Sequence, residues 1–311
     1  MGRPVSKIDH QTSESVNQQP RKGSIFKYTR KRSDAAKSVA SSDIELSQHC
    51  DVANTNYFPP TYEDEILRFQ LQHYLIRFAW ESNFSSPVIE RLTEGAKVLD
   101  VGLLEMATDY PASSFVGVDT SPMYPADIRP KNVKFQIENI LDELSSPNDT
   151  YDFVRIQFLS TAFTTDQWVN TVIPELIRVC RPGGFIEFME SDNKLIDAGP
   201  STEFIMESLI FLATKGIGNI TPYLQTYLAQ TTKLAGICYE NKSIPIGRWG
   251  GKLGELGEQV MKQTFEVEKI PLSLFLKITH EEYGKITRSA TREFSEYKAL
   301  IPTCRIWAEK V

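Results

Sequence analysis

Lys97-Val98-Leu99-Asp100-Val101-Gly102 is an apolar run that closes on Asp-x-Gly, the form of a buried parallel strand opening toward a helix. The next such run, Ser114-Phe115-Val116-Gly117-Val118, ends in Asp119. That is where a doubly wound sheet sets an acid against a nucleotide ribose. Together the two runs read as the nucleoside-binding half of an α/β sheet. A glycine-rich turn is expected between them and is missing, because Leu103-Leu104-Glu105-Met106-Ala107 follows Gly102 at once.

Working outward, strands alternate with helices. Val133-Lys134-Phe135-Gln136-Ile137 reads as a third strand, with Asn139-Ile140-Leu141-Asp142 at its carboxyl end. Tyr151-Asp152-Phe153-Val154-Arg155-Ile156 is a fourth, followed by Gln157 and Phe158. A helix is expected over residues 168–180, closed by the turn Arg181-Pro182-Gly183-Gly184, where glycine supplies a left-handed backbone. A fifth strand follows over residues 185–190. This alternation predicts a mostly parallel sheet. The last third reads as helices over 202–215, 222–234, 253–265 and 281–300, with strands over 237–246 and 304–308. Upstream, Thr61 can cap a helix whose first turn carries Glu63, Asp64 and Glu65, favourably placed against the helix dipole. Its apolar positions are Leu67, Leu71, Tyr74, Leu75 and Phe78, with His73 between the faces. Ser85-Ser86-Pro87 is read as the cap of a second short helix over residues 88–92.

With 311 residues, 41% hydrophobic and 24% charged, the chain can bury a full core in one large domain. Residues 1–56 are rich in Ser, Gln, Asn and basic residues without apolar periodicity, and read as a disordered tail. The ordered domain is expected over 57–311: a helical cover over 57–95, a cofactor-binding half over 96–190, and helical insertions with closing antiparallel strands over 191–311. The tail holds Arg21-Lys22 and Arg30-Lys31-Arg32 around Phe26 and Tyr28, a nuclear-import or anionic-surface segment or, more simply, a solvated run. The net charge of −6 argues against a nucleic-acid surface over the whole molecule. Four scattered cysteines without C-x-x-C spacing suit reduced thiols in a cytoplasmic or nuclear protein and suggest no metal site. No apolar run reaches the ~20 residues of a membrane span.

Dinucleotide oxidoreductases and methyltransferases both use an acid after the second strand, but the former keep G-x-G-x-x-G for a pyrophosphate, which this chain lacks. Val98-Leu99-Asp100-Val101-Gly102, Val118-Asp119-Thr120-Ser121-Pro122, Tyr151-Asp152-Phe153-Val154 and Arg181-Pro182-Gly183-Gly184-Phe185-Ile186-Glu187 resemble the four signature segments of class I S-adenosylmethionine-dependent methyltransferases. Leu71-Gln72-His73-Tyr74 and Asn83-Phe84-Ser85-Ser86-Pro87 resemble the entry region of a fungal subgroup related to regulators of secondary metabolism. The resemblance implies a doubly wound, mostly parallel seven-stranded sheet with helical insertions, and S-adenosyl-L-methionine as cofactor. It implies that Gly102 begins the loop around the methionine part, with Asp100 organising that loop. Asp119 would hold the ribose hydroxyls beside Thr120. Asn139 and Ile140 would meet the adenine, Asn139 being equally well read as a turn residue. Gln157 would lie near the transferring methyl.

The resemblance implies a small-molecule or protein methyl acceptor, and no fixed catalytic residue is assigned. Glu190 and Asp192 are candidates to accept a proton at the pocket mouth. Phe204, Ile205, Leu209, Phe211 and Leu212 read as helix packing first and as an apolar acceptor pocket second. The alternative from another class is a non-catalytic scaffold that keeps the fold to bind a protein partner. The departure at Gly102 bears on this choice. Glycines serve there because the backbone must approach a ligand closely, and the stretch from Leu103 to Ser114 is near the ~10–12-residue lower limit of a βαβ crossover. A helix over residues 103–108 would span only ~9 Å against the ~17 Å of a five-residue strand. Loss of cofactor binding, weak binding through Asp119, and a sequence missing a segment of the real product all fit.

Overall fold

The structure is a computed structural model that describes residues 62–101, 106–120, 130–192, 194–214 and 220–311. The tail with its basic cluster, the Thr61 cap, Gly102 and the start of the expected 103–108 helix lie outside the described residues.

Strands β1 (Lys97–Val101), β2 (Ser114–Asp119), β3 (Val133–Ile137), β4 (Tyr151–Gln157), β5 (Cys180–Ser191), β6 (Leu234–Pro245) and β7 (Leu300–Lys310) form one seven-stranded sheet in the order β3-β2-β1-β4-β5-β7-β6. The first five are parallel, and β7 runs antiparallel to both β5 and β6. Parallel strands are covered on both faces, so their runs are apolar throughout. Leu99, Val101, Val154, Ile156, Ile186 and Phe188 pack on one face against Trp168, Leu176, Leu224 and Leu228. Those residues belong to the helical stretch Thr165–Gln167 (α3), Trp168–Val172 and Ile173–Val179 (α4), and to α6 (Thr221–Gln230).

The other face carries Val98, Phe115 and Phe153 under Phe84, Val88 and Leu92, and Met189 and Ile244 under Leu75, Ile76 and Trp80. It is covered by α1 (Tyr62–Trp80), α2 (Ile89–Glu94) and their connecting segment. Helices α5 (Pro200–Thr214), α7 (Gly251–Val267), α8 (Lys269–Leu276) and α9 (His280–Glu296) close a separate core around Ile205, Phe265, Leu272 and Phe294. Ile205, Leu209 and Leu212 pack there, while Phe211 stacks on Phe275 with centroids 5.5 Å apart.

Several boundaries differ from the expectation. The helix before β5 starts at Thr165 through the Thr164–Gln167 capping box and contains a π-helical turn. Cys180 already pairs with Tyr151, and the ladder resumes at Phe153 with Phe185, so Arg181–Gly184 form an irregularity within β5. Gly183 has φ +72 there, and a Cβ on Gly184 would lie 2.8 Å from Cys180 Sγ and 3.0 Å from Asp152 O. Both glycines are thus required, one by dihedral and one by space. Ser85 and Ser86 do not cap α2, whose N-cap Val88 has no side-chain cap; their donors are bound elsewhere, as described next.

Candidate functional site

The site is built where β1 ends. Val101 pairs with Val118 on one side and Ile156 on the other, so Asp119 and Gln157 each stand one residue further along their strands. The sheet order turns outward in both directions from β1 and β4, and such a switch point opens a crevice beyond the strands' carboxyl ends. Asp119 is half-buried at the rim and Thr120 is exposed. The Asp119 carbonyl accepts the Glu138 N–H at 3.0 Å, which fixes the backbone from which the carboxylate projects. Gln157 is buried at the end of β4. Gly102 lies outside the described residues.

Asn139 caps the turn Ile140–Asp142: its Oδ1 accepts the Leu141 N–H at 3.1 Å and its Nδ2 donates to Asp142 at 3.0 Å. Both polar ends of the amide are therefore engaged locally. The Ile140 side chain is buried in the sheet core. Among the residues expected to contact a cofactor, the acceptor chemistry therefore fits best at Asp119, whose carboxylate can accept from both hydroxyls of a ribose.

Asp100 is fully buried and pairs with Arg155 Nη1 at 3.5 Å. Strand register sets Asp100 beside Arg155 and Arg155 beside Glu187, a row of alternating charge across three parallel strands. Glu187 Oε2 accepts from Ser85 N at 2.9 Å, Ser86 N at 2.7 Å and Ser86 Oγ at 2.6 Å. Arg305, on β7, lies 3.8 Å from Glu187 Oε1 and donates to Ser82 Oγ at 2.7 Å and Ser82 O at 2.8 Å. Its guanidinium sits 4.6 Å over the Trp80 ring, and burial pulls its pKa down to about 10. The segment joining α1 to α2 is thus clamped to the sheet by two buried charges from β5 and β7. Sequence reading missed Glu187 and Arg305 as site organisers and gave Arg155 no role. The available signal was a charged residue set among apolar neighbours, as in Val154-Arg155-Ile156 and Ile186-Glu187-Phe188.

Glu190 corrects another expectation. It is fully buried rather than set at a pocket mouth, and its carboxyl accepts the Leu159 N–H at 3.0 Å and the Ser160 N–H at 3.2 Å. It fixes the loop after β4, which begins at Phe158 with a left-handed φ of 55. Burial pushes its pKa up to about 8, against the N–H donors that lower it. Its carboxyl is closed off from solvent and engaged with the Leu159 and Ser160 N–H groups, so it is not presented to an acceptor.

Since the folded-state pKa exceeds the ordinary 4.5, the folded chain holds more protons than the unfolded chain between those values. The resulting stabilisation is complete below about pH 4.5 and is lost as pH rises to about 8. Glu190→Gln cannot titrate. Urea unfolding is expected to show its stability relative to the native residue improving by roughly 3 kcal/mol from pH 5 to pH 8. Parallel pH profiles in the two proteins would remove this role from Glu190.

The strand order, the reversed β7 and the acid ending β2 are those of the class I methyltransferase fold. In sequence the chain is similar to fungal methyltransferases. It is 27% identical over 281 residues to N-methyltransferase sirN of Leptosphaeria maculans, covering 84% of this chain and 96% of that one. It is 29% identical over 101 residues to methyltransferase str3 of Strobilurus tenacellus, but there it spans only 35% of the relative's length. N-methyltransferase tcpN of Claviceps purpurea is 24% identical over 47% of this chain and 55% of its own. No protein-family model matches. Among solved structures, coclaurine N-methyltransferase bound to N-methylheliamine and SAH aligns over 91% of this chain and 94% of its own, at 14% identity and a TM-score of 0.44. Phosphoethanolamine N-methyltransferase 2 of Haemonchus contortus aligns over 80% of this chain and 60% of its own, at 13% identity and a TM-score of 0.45. The similarity to sirN runs along nearly the whole length of both chains. No described helix is long and apolar enough to cross a membrane.

Proposed function

We propose that the chain is an S-adenosylmethionine-dependent methyltransferase whose acceptor atom is a nitrogen of a small molecule. The observation that carries the cofactor assignment is Asp119 at the carboxyl end of β2, beside the switch point. The nitrogen assignment is supported by the names of two relatives, both N-methyltransferases. When bound, S-adenosylmethionine supplies an electrophilic methyl group on a sulfonium.

The chain's own residues then have positional work. Asp119 would hold the ribose hydroxyls through its carboxylate. Glu190 holds the loop after β4 through Leu159 and Ser160. The α1–α2 segment, clamped by Glu187 and Arg305, keeps the cover seated on the sheet and water away from it. In-line displacement rests on such alignment, worth up to ~7–11 kcal/mol of barrier, and demands no fixed catalytic base when the amine arrives neutral.

The test is transfer of a labelled methyl group to a panel of amines, phenols and thiols, followed by mass spectrometry of the product. Label on nitrogen, rising with pH as the amine loses its proton, is the expected result. Label confined to oxygen or sulfur products would overturn the nitrogen assignment and leave the methyltransferase reading intact.

A further inference from the structure

Helices α7 and α9 flank an open surface cleft of about 730 Å³. Lys262 on α7 and Lys285, Arg288 and Arg292 on α9 line it, against the single carboxylate of Glu266. Its walls are fixed in advance. Tyr283 Oη donates to Phe265 O at 2.7 Å, Phe265 stacks on Phe294 at 6.1 Å, and a Thr279–Glu282 capping box starts α9.

The charges are unevenly compensated. Lys262 pairs with Glu258 at 2.5 Å and Lys285 with Glu281 at 2.8 Å, each within its own helix. Arg288 and Arg292 enter no ion pair among the described residues; Arg292 donates only to Ser289 Oγ at 3.2 Å. Lys285, Arg288 and Arg292 follow at three- and four-residue spacing, so they share one helix face, where like charges oppose helix formation. In a chain whose net charge is −6, this arrangement goes against the overall balance. An anion in the cleft would relieve it.

The neighbouring hydroxyls narrow the chemistry. Thr287 Oγ1 donates to Tyr283 O at 3.2 Å and Thr291 Oγ1 to Thr287 O at 2.8 Å, so neither offers its proton to a ligand. Apart from the Arg292–Ser289 bond, the guanidinium N–H groups have no partner among the described residues, and their planar geometry matches the paired oxygens of a phosphate. We propose that the cleft between α7 and α9 binds a phosphate-bearing ligand through Arg288 and Arg292, with Lys262 and Lys285 at its margins. It is separate from the cofactor crevice and does not rest on the methyltransferase reading.

Calorimetric titration of the full chain tests this, with pyrophosphate in one arm and a phosphoserine peptide in the other. Saturable binding in either arm is expected to weaken at least about tenfold in Arg288→Glu/Arg292→Glu and to fall with added salt. The arm that binds more tightly identifies free or protein-borne phosphate. Both arginines are exposed, so the variant should fold, and retained S-adenosylhomocysteine binding or an unchanged circular-dichroism melt checks that it does. No binding in either arm, or equal binding by the double variant, would overturn the proposal. So would an aspartate peptide of equal charge that binds as tightly as the phosphoserine peptide.

Discussion

Glu187→Ala is expected to lower the melting temperature by on the order of 10 °C, since removing one partner of a buried charge pair costs about 3–5 kcal/mol and a domain of this size loses ~2–4 °C per kcal/mol. Glu187 is fully buried and collects the backbone N–H groups of Ser85 and Ser86 together with the Ser86 hydroxyl. Alanine leaves those donors without an acceptor and strands Arg305, itself fully buried at 3.8 Å from the lost carboxylate. The Ser82 contacts of Arg305 remain, so Arg305 keeps its place but loses its counter-charge. A double variant, Glu187→Ala/Arg305→Met, is therefore expected to be more stable than the sum of the single losses implies. Thermal unfolding of the four proteins in the cycle measures this. Strict additivity would show that the two side chains are neighbours without being partners.

Asp119→Ala is expected to weaken S-adenosylhomocysteine binding by about 100-fold or more, because two charge-assisted hydrogen bonds at ~1.5–3 kcal/mol each disappear together. The strand that carries the residue should survive. Asp119 is half-buried at the last position of β2, and its backbone carbonyl receives the Glu138 N–H, a contact that alanine keeps. A loss of affinity far larger than any accompanying loss of stability is the signature of a binding residue. Asp119→Asn separates charge from shape, retaining one acceptor oxygen and giving an intermediate loss. Affinity unaltered by either substitution would place the ribose elsewhere.

What the sequence made legible follows from range. The runs Val98-Leu99, Val116-Gly117-Val118, Val154 and Ile186 belong to strands covered on both faces, and such strands announce themselves locally. Their order, and with it the place of Asp119 at the end of β2, followed from the resemblance of the segments around them. The sheet's last two strands were read too short. β6 exposes most of its residues from Ala235 to Ser243, so its pattern is neither continuous nor alternating. The β5 boundary failed because Cys180 pairs with Tyr151 before the irregularity at Arg181–Gly184, which no local rule anticipates.

The charge row was hidden for a related reason. Asp100, Arg155 and Glu187 lie far apart along the chain and meet only through strand register, while Arg305 reaches Glu187 from two positions along β7. Ser85 and Ser86 resembled a helix cap because the residue types are the same for any acceptor of that kind, and only the fold reveals Glu187 as the partner. Asn139 had two sequence readings, and its contacts to Leu141 and Asp142 are those of the turn residue. Ile140 shows the same limit, since an apolar residue after a strand suits a ring face and a core equally, and here its side chain is in the core.

The chain is expected to bind an S-adenosyl nucleoside at the end of β2, despite the abrupt passage from Gly102 to Leu103. Calorimetric titration of the unaltered full chain with S-adenosylhomocysteine tests it most directly. A saturable one-site isotherm in the micromolar range, about −8 kcal/mol, is the predicted result. No heat of binding from protein that melts cooperatively would contradict it, and would leave the fold serving as a scaffold.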